Sequence, residues 1–314
     1  DIALNDTMPK DTTKKKTIWK INIDKLNLYR TNFRLHMPGD SMVIDANFHK
    51  AAAQNASIDL YNKVYRVDGI AWQGGSLTYD KTFVPRMRHG FDAAHIALNK
   101  LNMGVDSLSY DSNGVSVNVR TANFTEQSGL IVNDLRTRFR LDSTHFYLQP
   151  FYLRMPQTEL KGSVAMALNA FSAINPGQLA VSLNGFVRIN DLQPLLSGSV
   201  PTRFLHAIPT ERIDVNGSLR GNMRNLILQK LRIGMPQHFA LKVNGRISNL
   251  QSPKNLSANL ALGGSLRDIR FVKRLLPKSI GSTIKIPTGI DFNAKVRAQG
   301  TQYHADMLLY EGGG

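Results

Sequence analysis

Between Gln178 and Asn190 the chain alternates without a slip, with Leu179, Val181, Leu183, Val187 and Ile189 all on odd positions. A two-residue period puts successive side chains on opposite faces of a strand, so this stretch is read as a strand with one apolar face. Its one irregularity is Asn184-Gly185. Between two apolar runs that dipeptide ordinarily signals a hairpin, yet here the phase carries straight through it. Gly185 is therefore read as lying inside the strand, on the apolar side. The arrangement returns in Ile213-Asp214-Val215-Asn216-Gly217-Ser218-Leu219 and in Phe239-Ala240-Leu241-Lys242-Val243-Asn244-Gly245-Arg246-Ile247. A glycine inside a strand costs stability and marks a bulge, a bend or the close approach of another backbone. Ordinary hairpin turns at some of these sites stay open as the alternative; the reading adopted is bends at Gly185, Gly217 and Gly245 in one long curved sheet.

Composition points the same way. Among 23 acidic residues only Glu126, Glu159, Glu211 and Glu311 are glutamates, so a strong helix former is scarce on polar positions. At 314 residues a single all-β architecture is as natural as two average domains. The formal charge of +16 calls for anionic neighbours without choosing among nucleic acid, phospholipid headgroups and acidic glycans. Most cations alternate with apolar residues, as Arg136, Arg138 and Arg140 do against Leu135, Thr137, Phe139 and Leu141, which reads as a solvated outer face. Lys14-Lys15-Lys16, after Met8 to Thr13, reads as a loop. There is no cysteine, which excludes disulfide and thiolate chemistry and leaves the redox compartment open. No window approaches the roughly 18 apolar residues of a membrane-spanning helix, and no signal peptide is visible. Beginning without methionine and ending on Glu311-Gly312-Gly313-Gly314, the chain is read as an internal fragment of something longer.

Strands are expected to follow one another closely: Trp19-Ile21-Ile23, Leu26-Leu28, Phe33-Leu35-Met37, then Met42-Ile44-Ala46-Phe48, with a turn at Pro38-Gly39-Asp40-Ser41. The strand ending Leu35-His36-Met37-Pro38 recurs as Leu153-Arg154-Met155-Pro156 and Ile233-Gly234-Met235-Pro236. A second repeat pairs Ser76-Leu77-Thr78-Tyr79-Asp80 with Ser107-Leu108-Ser109-Tyr110-Asp111, and Met307-Leu308-Leu309-Tyr310-Glu311 is a looser copy. Their uneven spacing argues against a propeller or fixed-period solenoid and for one elongated sheet. Helices are few. Asp191 to Leu196 supports a turn or two, Val200 to Ala207 another, and Leu266 to Leu276 a third, with Ser265 as cap, Asp268 at the positive end and Pro277 as the stop.

Catalytic signatures do not emerge. His36, His49, His89, His95, His145, His206, His238 and His304 show no metal-ligand spacing, and no nucleophile elbow, Walker loop or dinucleotide fingerprint occurs. Gly74-Gly75 and Gly263-Gly264 read as turns or bends. Asp80 and Asp111 read as turn residues that satisfy local backbone. Recognition of RNA wants exposed aromatics interleaved with arginine and lysine, whereas the aromatics here are read in the apolar phase.

Gly90-Phe91-Asp92-Ala93-Ala94-His95-Ile96-Ala97-Leu98, Ser107 to Asp111, the Glu126-Gln127-Ser128-Gly129-Leu130 motif, the Met-Pro strand endings and Asp191 to Leu196 together resemble the TamB family of translocation and assembly module proteins. This is a branch of the wider AsmA-like superfamily, and the likeness is to its Bacteroidetes form over most of the chain. The resemblance implies a long antiparallel sheet folded lengthwise into a U-shaped apolar trough, a β-taco, in the periplasm. It also implies an inner-membrane anchor outside this chain and a reach to the outer membrane. By the same resemblance the cargo is phospholipid moved between the two membranes, the partner a BamA-like outer-membrane protein in β-barrel insertion, and there is no catalytic residue, metal or cofactor to carry over.

On that expectation residues 1–314 form one continuous trough segment, with possible sub-segments 1–170 and 171–314. Roughly 20 strands about 4.8 Å apart would give a sheet on the order of 95 Å long. The lipid-lining candidates are Phe33, Leu35, Ile44, Phe48, Phe139, Leu141, Leu153, Leu160, Val164, Leu179, Val181, Leu183, Val187, Leu241, Val243, Phe292 and Val296. So large an apolar face must close on itself, meet a partner or hold lipid. Its occupants are expected to be phospholipid acyl chains, with no nucleic acid partner. Three other classes stand beside this: an assembly module that pairs client strands with sheet edges, a polysaccharide-active β-solenoid enzyme, for which the paired carboxylates are missing, and a transmembrane barrel, which would need regular strands and aromatic girdles.

Overall fold

The computed structural model describes residues 19–37, 41–198, 200–275, 289–300 and 302–311. The lysine loop, the Pro38-Gly39-Asp40 part of the first turn, Leu276, Pro277 and the terminal glycines lie outside them. The chain is all-β. Its strands are β1 (Lys20–Met37), β2 (Met42–Asp59), β3 (Val64–Lys81), β4 (His95–Asp111), β5 (Gly114–Glu126), β6 (Ile131–Val132), β7 (Asp134–Leu141), β8 (His145–Arg154), β9 (Glu159–Ala167), β10 (Leu179–Arg188), β11 (Arg212–Asn222), β12 (Asn225–Met235), β13 (Phe239–Ser248), β14 (Ser257–Leu266), β15 (Ile290–Gln299) and β16 (Gln302–Glu311). They form one antiparallel meander in which each strand pairs with its successor, except that β7 follows β5 in the path and β6 pairs only with β5. Fifteen strands in one path at about 4.8 Å spacing make a sheet on the order of 65–70 Å long. The sheet does not close, for β1 and β16 are its two edges.

Sixteen strands occur among the described residues, fewer than the roughly twenty expected, and part of the difference has a physical reason. Trp19 to Met37 was read as three strands because the apolar phase slips twice, after Ile23 and after Leu28. In the structure β1 is one strand of 18 residues, and the slips are bulges within it. Asp24 and Arg30 drop out of the β1–β2 ladder together with Asn55 and His49 opposite them; the same two positions of β2 drop out against Asp68 and Gly74 of β3. Arg30 (φ 46°), Asn55 (φ 48°), Gly74 (φ 68°) and Lys100 (φ 52°) take left-handed backbone at or beside these lines. An extra residue in a strand rotates the next side chain to the opposite face. Because neighbouring strands bulge together, pairing register and face survive across both lines.

The Asn-Gly sites are not turns: Gly185 lies within β10, Gly217 within β11 and Gly245 within β13, with φ of 141°, 145° and 140°, and the β11–β12 register shifts at Gly217. Gly74-Gly75 and Gly263-Gly264 are likewise inside β3 and β14. Met37 ends β1 and buried Met235 ends β12, while buried Met155 directly follows β8.

Among the described residues there are three short α-helices, α1 (Ile189–Leu196), α2 (Thr202–Ala207) and α3 (Val272–Leu275), and one 3-10 turn at Pro253–Asn255. The first two match expectation. The helix expected over Leu266 to Leu276 does not form at its start, because Ser265 and Leu266 are still ladder residues opposite Asp291 and Ile290. Beyond them His238 Nδ1 bonds the Asp268 carbonyl oxygen, and buried Phe271 packs edge-on to the His238 ring with centroids 5.6 Å apart. These contacts hold 267–271 outside the helix, so that α3 starts only at Val272.

Apolar clusters anchor the sheet where connections fold over it. Ala170, from the β9–β10 connection, is buried with Leu179, Met223, Leu226 and Leu228. Trp72, Ala46 and Leu101 form a second cluster across β2, β3 and β4. Leu130, Val132 and Met155 form a third, against which Leu192 of α1 packs.

Candidate functional site

Directly paired residues in an antiparallel ladder point to the same face, so register decides which side chains share a surface. Phe33 opposes Ala46, and Leu35 opposes Ile44; Ile44 opposes Tyr79, and Phe48 opposes Gly75. Tyr65 opposes Tyr110, Tyr110 opposes Val115, and Val115 opposes Leu141. Leu153 opposes Leu160, and Val164 opposes Val181. The chain of pairs continues through Gly185 with Val215, Val215 with Ile233, Ile233 with Leu241, Leu241 with Gly264 and Gly264 with Phe292. All seventeen candidate residues therefore lie on one face, from β1 to β15. Leu179 is buried, Phe33 and Leu35 at the β1 edge are exposed, and the rest are half-buried.

Large and absent side chains alternate across this face. Gly185 lies between Leu160 and Val215, Gly245 between Leu228 and Leu260, and Gly264 between Leu241 and Phe292. A Cβ on Gly245 would stand 2.1 Å from the Asn259 carbonyl oxygen, so the strands approach there more closely than any side chain permits. Thr137 is a polar intrusion: it is buried opposite Val119 and Phe151, and its hydroxyl has no hydrogen-bond partner among the described residues.

The hollows of the sheet open on the other face. One of about 1140 Å³ is lined by Ser182, Asn184, Asn216, Gln229, Lys230 and Arg246 among others; of the seventeen candidates only Leu183 borders it. Arg136, Arg138 and Arg140 are exposed on this polar face, as read from their phase. The aromatics do not all share the apolar phase, however. Tyr147 opposes Arg140 and Tyr152 opposes Arg136, so both rings belong to the polar face, with guanidinium groups 5.6 and 5.3 Å from their centroids. Phe186 joins them, under Arg212 at 4.0 Å. The sequence signal was present, since Tyr147, Tyr152 and Phe186 each fall out of phase with the nearest aliphatic residues.

The titratable groups at the strand ends are structural. His95, 4% exposed, places Nδ1 on the Asp80 carboxylate and Nε2 2.7 Å from the Val84 carbonyl oxygen. Asp80 also takes Arg86 at 2.6 Å. It is thus a strand residue joining two cations across a hairpin, and its reading as a turn residue is corrected; Asp111 does accept from the Asn113 amide in its turn, at 2.7 Å. The Asp80 hydrogen bond lifts the His95 pKa above the ordinary imidazole value, against the effect of burial. At His238 burial opposes the charge, but the Asp268 carbonyl oxygen and Glu211 prevail and raise its pKa too. Asp142 is drawn down to about 2 by the Thr144 amide and hydroxyl and the His145 amide. Glu126, 1% exposed, accepts from the Ser128 amide and hydroxyl at 2.8 and 2.5 Å. The Glu-Gln-Ser-Gly-Leu motif is thereby a locked turn. No group of three or more potential ligand side chains is placed to hold a metal ion among the described residues.

Comparison with protein-family models, with curated proteins and with solved structures finds no match.

Proposed function

We propose that the chain is a length of lipid conduit, with phospholipid acyl chains lying on the apolar face and headgroups at its rim. The carrying observation is one register-locked apolar face spanning fourteen strands, β1 to β15 without β6, with most of its side chains only half-buried. A soluble monomer rarely leaves more than a few hundred Å² of contiguous apolar surface bare. Each methylene of a bound acyl chain would contribute about 0.8 kcal/mol wherever it lay, which gives binding that is strong in sum and indifferent to position. The paired bulge lines through β1 to β4 and the glycine bends of β10, β11 and β13 supply the flexure for folding the sheet lengthwise into a trough. This reading places the chain with the TamB branch of the AsmA-like superfamily, in the periplasm, as part of a longer protein bridging inner and outer membranes without catalysis.

The test is purification without detergent, organic extraction and mass spectrometry. Stoichiometric phospholipid is expected; a monodisperse protein free of lipid would sink the proposal. A second reading has its own observation. All ten residues of the edge strand β16 are exposed, including Tyr303, Met307, Leu308 and Leu309, and an open apolar edge is a template for pairing another strand. That favours an assembly module aiding β-barrel insertion with a BamA-like partner, and strand-specific crosslinking from β16 would reveal it.

A further inference from the structure

We infer that the polar face carries a binding groove for an extended acidic glycan, independent of what the apolar face holds. Three hollows adjoin one another on this face. One, about 380 Å³, lies over β5 to β9 and includes Arg138 and Lys161. The second, about 560 Å³, runs from β8 to β12 and includes Arg220 and Asn222. The third is the hollow of about 1140 Å³ over β10 to β14. The second and third share Ile227, and Lys161 of the first pairs directly with Asn184 of the third. From β5 to β14 the path covers eight strand spacings, roughly 40 Å at the usual separation, so its occupant is a chain and not a small molecule.

Charge selects the class. No aspartate or glutamate lines any of the three hollows. The acids beside them are spent: Asp134 on Arg136 at 2.6 Å, Glu159 on Lys161 at 3.5 Å and Asp214 on Arg212 at 2.5 Å. Each hollow instead holds one exposed arginine, Arg138, Arg220 or Arg246, with no ion pair or hydrogen bond among the described residues. Three unpaired guanidinium groups in adjoining hollows suit repeated carboxylates or sulfates.

Between the charges stand neutral hydrogen-bonding groups. Asn184 and Asn216 face each other across β10 and β11, and neither side chain has a partner among the described residues. Carboxamides offer donor and acceptor side by side, which matches vicinal hydroxyls. Single-stranded nucleic acid would be the rival polyanion, but it needs bare aromatic faces for stacking. Here Tyr152 has Arg136 and Lys161 at 5.3 and 5.4 Å from its centroid, while Tyr147 is stacked by His145 at 5.8 Å with Arg140 at 5.6 Å. The rings are taken, and a polyhydroxylated acid fits what remains.

Affinity electrophoresis of the whole chain against polygalacturonate, neutral dextran and oligothymidylate tests this, with circular dichroism confirming that each variant is folded. Polygalacturonate should retard the protein in a salt-sensitive way and dextran should not. The combination Arg138→Glu, Arg220→Glu and Arg246→Glu, one change per hollow, should abolish retardation. Asn184→Ala with Asn216→Ala leaves the charge untouched and should weaken binding about tenfold, the loss expected for a few net hydrogen bonds. Three results would overturn the inference: no retardation by polygalacturonate, tighter binding of oligothymidylate, or an amide double variant that binds as well as the parent, which would reduce the face to unspecific charge.

Discussion

His95 and Asp80 bridge the β3–β4 hairpin with the imidazole Nδ1 on the carboxylate, and because Nε2 meets the Val84 carbonyl oxygen, both ring nitrogens face acceptors. Only the imidazolium can donate to both.

This arrangement sets the sign of a pH effect. The pKa of His95 is raised in the folded chain by Asp80, with smaller help from the Val84 carbonyl oxygen and Asp92 and against burial. A raised pKa means the stabilisation is complete below the unfolded value of about 6.5 and is lost as pH rises through the folded value. The ring resonances of His95 should titrate above an ordinary histidine, and the melting temperature should fall across that window. Asp80→Asn should bring the midpoint down and flatten the fall; an unchanged midpoint would exclude Asp80 as the cause.

Gly185→Ala asks whether the bends are obligatory. With φ at 141° and a built Cβ only 2.1 Å from the Glu159 carbonyl oxygen, alanine must strain its backbone and push β9 away. A loss of about 3 kcal/mol or more in urea unfolding is expected. Ser57→Ala, on an exposed strand position, should stay within about 0.5 kcal/mol.

These glycines were legible because phase ran through them unbroken, which no two-residue turn allows. The bulges of β1 were not: a slip of phase at Asp24 or Arg30 looks the same whether a strand ends or merely takes an extra residue, and only the partner strand, slipping opposite at Asn55 and His49, tells them apart. Seventeen candidate residues were placed on one face by parity within each strand, and register, a property of pairs, kept that parity aligned across strands. The helix over Leu266 to Leu276 failed for a related reason. Its local cap and stripe signals are real, but Leu266 gains a ladder place between Phe239 and Ile290, which a local pattern cannot weigh. The hollows of the polar face were invisible because each is lined by residues of several strands, which no local pattern brings together.

Glu126→Ala tests the locked turn. The carboxylate accepts from Ser128 twice and reaches toward the Ala97 amide at 3.4 Å. Truncation strands those donors at a buried site, at a cost of about 2–3 kcal/mol. Glu126→Gln keeps one acceptor oxygen and should lose less. Faster hydrogen exchange at the Ser128 amide in the alanine protein, with the distant β10–β11 ladder unchanged, is the local signature to look for.

Leu183→Asp separates the lipid reading from a merely structural apolar face. Leu183 opposes Gly162 on β9 and Gly217 on β11, so a carboxylate there would have glycines on both sides and no partner, in the middle of the proposed acyl path. An unpaired charge in an apolar setting costs several kcal/mol, and about 1.4 kcal/mol already corresponds to tenfold. Transfer of a fluorescent phospholipid between vesicles should therefore drop by roughly tenfold or more. Ser57→Asp puts the same charge on the opposite face of β2, clear of the hollows, and should leave transfer near that of the parent. Because Leu183 is only half-buried, the variant should keep its β-sheet circular dichroism, so a loss of transfer in a folded protein locates the lipid on this face, and undiminished transfer removes it from there.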